Sequence, residues 1–135
     1  MMNVFFDVDG TIIADDGALR PHVHEVFQKI KEAGHDIYVW SGVGIRWEIV
    51  RANKLAEYVT DCYLKPLYNH QNGLAELGVK VKPDFCIDDY KSIVDAFSGV
   101  TVKPYFFADP EDKEMLRVLE AVMERSKDGN SSTSL

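Results

Sequence analysis

The chain has 135 residues, 46% hydrophobic and 27% charged, which suits one globular domain with a real core. Its formal net charge of -7 repels phosphate backbones, so nucleic acid is not a favoured partner. The first apolar run is too short for a secretory signal and no stretch approaches a membrane span of ~20 residues, so a cytoplasmic protein with Cys62 and Cys86 as reduced core thiols is expected.

Asn3 to Val8 reads as a strand whose unbroken apolar run, Val4-Phe5-Phe6, suits burial on both faces. From Pro21 to Ala33, Val23, Val26, Phe27 and Ile30 recur at helical spacing and Gly34 supplies a stop. Asp36 to Trp40 is a second strand. Ile45 to Val59 repeats apolar residues on one helical face. Asp61 to Leu64 is a short third strand, and Leu67 to Leu77 a helix weakened by Asn69 and Gly73. Asp84 to Ile87 is a fourth strand, Lys91 to Phe97 a short helix, and Thr101 to Phe107 a fifth strand with Pro104 marking an edge. Asp109-Pro110 opens a last helix with its core stripe on Met115, Leu119, Val122 and Met123. Residues 1–126 are thus expected to form one domain and 127–135, rich in Ser, Asn and Gly, a disordered tail.

Strands alternating with helices imply a three-layer Rossmann-like α/β fold, a parallel sheet of about five strands with helices on both faces. Ligands of such sheets bind at the carboxyl ends of the strands. There the sequence delivers Asp7, Asp9, Gly10 and Thr11 from strand one, Ser41 and Gly42 from strand two, Lys65 from strand three, and Asp88 and Asp89 from strand four. Carboxylates so gathered repel one another unless a proton or cation is shared. A hard divalent cation with oxygen ligands is the natural neutraliser, and magnesium commonly bridges to a phosphate.

These residues resemble the motifs of the haloacid dehalogenase superfamily. Phe5-Phe6-Asp7-Val8-Asp9-Gly10-Thr11 is similar to its first motif, Ser41 after Ile37-Tyr38-Val39-Trp40 to its second, Lys65-Pro66 to its third, and Cys86-Ile87-Asp88-Asp89 to its fourth. The resemblance implies a magnesium-dependent phosphatase. Asp7 would be the nucleophile and form an aspartyl-phosphate. Asp9 would act as general acid and base, and its backbone carbonyl would reach the metal. Ser41 and Gly42 would hold phosphate oxygens, Lys65 would neutralise charge at the phosphate, and Asp7, Asp9, Asp88 and Asp89 would make up the magnesium site. Which of Asp88 and Asp89 ligates directly stays open. Lys80 and Lys82 are alternatives to Lys65, though an extended strand would put Lys82 roughly 20 Å from Asp88, at the opposite edge of the sheet.

Other features read more plainly. Arg46 is expected to be a solvated arginine, Trp47 a packing residue, and Asp15 and Asp16 part of a polar loop; His22, His24, His35 and His70 lack metal-ligand spacing. Relatives often carry a cap domain after the first strand or before the lysine motif, and neither place has room for one here. An open site suits a large phosphorylated substrate, or closure by a second copy in a homo-oligomer, with the segment Ile12 to Leu19 as the local candidate for substrate contact. The rival readings are a non-catalytic or regulatory member that binds phosphate or a partner, and a phosphotransferase of the same superfamily.

Overall fold

Val4, Phe5 and Phe6 are all shut off from solvent, and since neighbours on a strand point to opposite faces, both faces of the first strand must be covered. The computed structural model, which describes residues 1–133 and side chains through Asp128, shows what covers them. The elements are β1 (Asn3–Asp7), α1 (Val23–Glu32), β2 (Asp36–Ser41), α2 (Trp47–Ala52), β3 (Val59–Leu64), α3 (His70–Glu76), β4 (Phe85–Asp88), α4 (Lys91–Phe97), β5 (Gly99–Thr101) and α5 (Glu114–Thr133). The five strands form one sheet in the order β3-β2-β1-β4-β5, every neighbouring pair parallel.

Val4 and Phe6 pack on one face with Val26, Phe27 and Ile30 of α1 and with Met115, Val118 and Val122 of α5. Phe5 faces the other way, stacked on Tyr38 at 4.9 Å and edge-on to Trp40 at 4.5 Å, over Ile93 and Phe97 of α4. The chain is therefore a helix–sheet–helix sandwich, and the odd–even alternation along β1 divides its two cores. Residues 8–22 separate β1 from α1, and residues 65–69 separate β3 from α3. Among the described residues no helix is long and apolar enough to cross a membrane.

Several boundaries differ from the sequence expectation, each for a local reason. The helical spacing from Ile45 to Val59 belongs to two elements: α2 ends at Ala52, Lys54 turns left-handed at φ 58°, and Val59 opens β3. Leu55 and Val59 are still buried, so the apolar pattern marked core positions and not a continuous helix. The fifth strand is only Gly99–Thr101, at the sheet edge. Beyond it Pro104 has no amide to donate, and Tyr105 leaves the sheet to donate its N–H to the Gly10 carbonyl at 2.8 Å. The last helix starts a turn later than Asp109: the Glu111 N–H donates to Asp109 at 3.0 Å within a turn, and the Asp112 carboxylate accepts the Glu114 N–H at 3.1 Å. α5 runs to Thr133 and so takes in most of the 127–135 segment read as a disordered tail; residues 134–135 lie outside the described residues.

Candidate active site

The link after β1 leads to α1 on one face of the sheet, whereas the link after the adjacent β4 leads to α4 on the other. Neighbouring strands whose chains depart to opposite faces leave a crevice at their carboxyl ends. Asp7 and Asp88 are the last residues of those two strands, so parallel pairing alone puts both acids at this switch point.

Both are buried, Asp88 completely. Lys65, just past the end of β3, reaches in between them: its Nζ donates to Asp7 Oδ1 at 3.0 Å and to Asp88 Oδ2 at 3.0 Å. The second Asp7 oxygen accepts the Thr11 hydroxyl at 3.1 Å, and the Tyr90 N–H donates to Asp88 Oδ1 at 2.9 Å. Asp89, half-buried, completes a group in which one oxygen each from Asp7, Asp88 and Asp89 lie within 4.8 Å of one another. Three carboxylates against one ammonium leave the pocket short of positive charge. Burial first, and the Asp88 charge next, outweigh Lys65 and push the Asp7 carboxyl up to about 7. Burial likewise raises Asp88. Burial works against the Lys65 ammonium, yet the Asp7 and Asp88 charges prevail and raise its pKa.

The turn after β1 fixes the rest of the first motif. The Val8 carbonyl accepts the amides of Thr11, Ile12 and Ile13, so it is occupied within the turn. Gly10 stands at φ 78°, and a Cβ there would lie 2.9 Å from Asp89 Oδ2 and 3.0 Å from the Phe106 ring, so only glycine fits between the two. Asp9 turns outward. Its carboxylate accepts Arg46 Nη1 at 2.6 Å and its side chain is 54% exposed, apart from the three clustered acids. Arg46 is thus not a solvated surface arginine. The Asp9 and Glu48 charges, working against burial, raise its pKa.

A cleft of about 280 Å³ joins Asp7, Asp9, Ser41, Gly42, Lys65 and Asp89. Ser41 ends β2, and its hydroxyl oxygen accepts the Val43 N–H at 3.3 Å. The structure therefore brings all the expected site residues to one cleft or its floor. Lys82 is not among them: its carbonyl accepts the Asn3 side chain at 3.1 Å, at the amino-end edge of the sheet, and Lys80 is exposed just before it in the chain. The segment 12–19 does not border the cleft. Ile12 and Ile13 are buried, and the Asp15 N–H ties the loop to the Phe106 carbonyl at 2.9 Å. Val43, Leu67, Tyr90 and Phe106 form the mouth instead. Sequence reasoning missed Arg46 and this apolar mouth; all of them stand on loops or just beyond strand ends.

Arg20 was also silent in the sequence. Fully buried, it makes a two-pronged ion pair with Asp112 at 2.8 and 3.0 Å, donates to the Thr11 carbonyl at 3.1 Å, and lies over the Tyr105 ring at 4.8 Å. It braces the first motif against the loop that carries Phe106.

A parallel α/β sheet with a lysine-bridged acid cluster at its switch point defines the class, an open α/β fold with a carboxylate site. Residues 4–63 match the family model of haloacid dehalogenase-like hydrolases, a stretch that holds Asp7, Asp9 and Ser41 and stops short of Lys65 and the Asp88–Asp89 pair. Over those 60 of its 135 residues the chain is similar to haloacid dehalogenase-like hydrolases. No curated protein matches it.

Proposed function

We propose that this chain is a magnesium-dependent phosphatase that hydrolyses a phosphomonoester through a covalent intermediate on Asp7. The observation that carries the reading is the placing of Asp7: buried at the switch point, held through one oxygen by Lys65 and through the other by Thr11, with Asp9 lining the same cleft. An Asp7 oxygen attacks phosphorus, the ester P–O bond breaks, and Asp9 gives its proton to the departing oxygen. Asp9, now a carboxylate, takes a proton from the water that attacks phosphorus in the second step, which frees phosphate and restores Asp7. Ser41 and Gly42 hold the phosphate oxygens, and Lys65 offsets the charge of Asp7 and Asp88 while the phosphoryl group transfers.

The close grouping of Asp7, Asp88 and Asp89 fits a hard cation, because all three offer carboxylate oxygens and together exceed the one lysine that faces them. These three would hold magnesium, and Asp9 would contribute through its backbone carbonyl, since its side chain is turned to Arg46. Bound there, the ion would supply electrostatic stabilisation of charge on the phosphoryl oxygens. With no cap between solvent and Asp7, the substrate can be large, and a second copy of the chain is another means of covering the cleft.

Hydrolysis of p-nitrophenyl phosphate with and without magnesium, by the native chain and by Asp7→Asn, tests this reading. Metal-dependent turnover that disappears in the variant is expected. Equal rates in the two proteins would overturn it, as would no turnover in the native chain.

A further inference from the structure

Beside the catalytic cleft lies a second hollow of about 310 Å³, bordered by Pro66, Leu67 and Tyr68 after β3, by Gly73 and Glu76 of α3 and by Leu77 just after it. Gly42, Lys65 and Leu67 belong to both hollows, so the two run together around the Leu67 side chain. Missing side chains shape this annex. A Cβ on Gly42 would come 2.7 Å from Leu67 Cδ2, and one on Gly73 would come 2.8 Å from Pro66 Cβ. Both distances are below van der Waals contact, so glycine at each position is what lets Leu67 and Pro66 lie where they do.

The walls are apolar and uncovered: Leu67 is 54%, Tyr68 78% and Leu77 36% exposed. Single exposed apolar residues are ordinary, but a contiguous group around a concave space marks a binding site. The charges here narrow the ligand. Lys65 is committed to Asp7 and Asp88, and among the described residues Glu76 is the one other charged residue on the border, so a second anionic group would meet no free cation among them.

We infer that this annex is the leaving-group subsite of the phosphatase proposed above, on which the inference rests, and that it takes an apolar, ring-bearing group esterified to the phosphate. The phosphoryl group occupies the polar cleft over Asp7, and the ring passes Leu67 to lie against Tyr68 and Leu77. A ring moved from water into such a hollow gains about tenfold or more in affinity.

Calorimetric binding of 2-phenylethylphosphonate and ethylphosphonate to the native chain with magnesium reads this directly, since neither probe can be hydrolysed. The aryl compound is expected to bind at least about tenfold tighter. In the double variant Tyr68→Ala, Leu77→Ala, whose altered side chains are exposed and outside the catalytic cleft, the ratio should fall toward one while ethylphosphonate binding holds. Absence of a preference in the native chain, or a preference that survives the double variant, overturns the subsite. Turnover of the matching phosphate esters separates the two claims. A preference among phosphonates without hydrolysis of either ester would sink the phosphatase reading and leave the annex a binding site.

Discussion

The acids of the first motif, two residues apart, occupy opposite surroundings. Asp7 is buried among Lys65, Thr11 and Asp88, whereas Asp9 stands at the mouth with Arg46 as its partner. Around Asp7 every polar atom is committed and charge is costly, because little water remains to screen it. Around Asp9 the carboxylate side of the ion pair is open to solvent, which screens the pair and leaves it worth little. A nucleophile benefits from being pinned and a proton carrier from being able to move, so the contrast matches the two parts the acids would play.

Lys65→Met breaks the inner region hardest. It leaves two buried carboxylates facing each other without their cation, and breaking a buried pair in this way typically costs about 3–5 kcal/mol. Urea unfolding of the metal-free protein should show that loss, and show it larger at about pH 8 than at about pH 5, where a proton can replace the lysine.

Asp9→Asn probes the outer region and should separate activity from stability. A lost general acid lowers kcat by roughly 10²–10⁴-fold, while the unfolding free energy stays within about 0.5 kcal/mol of the native value. Equal damage from Asp9→Asn and Lys65→Met in unfolding would erase the contrast between the two regions.

The pH dependence sharpens it. The folded-state pKa of Asp7 lies near 7, above its ordinary value of 3.8, so its proton contributes stability in full below about 3.8 and that contribution is lost as pH rises through about 7. His35, whose pKa burial lowers, pulls the opposite way in part of the same window. The informative quantity is therefore the difference between proteins: without metal, Asp7→Asn should melt higher than the native chain at about pH 8, and the gap should close toward about pH 5. A gap that widens on acidification would show that Asp7 is not the group taking up the proton. The smallest effect belongs to Arg46→Ala, where losing an ion pair whose carboxylate is half-exposed should change stability by less than about 0.5 kcal/mol and is read by urea unfolding.

Much of the inner region was legible in the sequence, and the reason is topological. In a parallel sheet every strand ends on the same side, so Asp7, Ser41, Lys65 and Asp88 had to converge once their strands were recognised. Pattern also located the core correctly at Leu55 and Val59 while misplacing the helix end, since periodicity reports burial and a left-handed Lys54 leaves no periodic trace. The outer region was not legible. Arg46 meets Asp9 across 37 residues through loop conformation, and Phe106 reaches the cleft because Tyr105 bridges to Gly10, a contact between segments at the two ends of the fold. The annex depends on Gly73, which in sequence reads merely as a weak point in a helix.

The most direct test of the central claim is chemical trapping of the acyl-phosphate. The native chain, mixed with magnesium and a phosphate ester during turnover and quenched with borohydride, should be reduced at a single carboxyl. Peptide mass spectrometry should find homoserine at position 7, dependent on both substrate and metal. Turnover that proceeds with Asp7 unmodified, or with the reduced carboxyl at Asp9 or Asp88, would contradict the account.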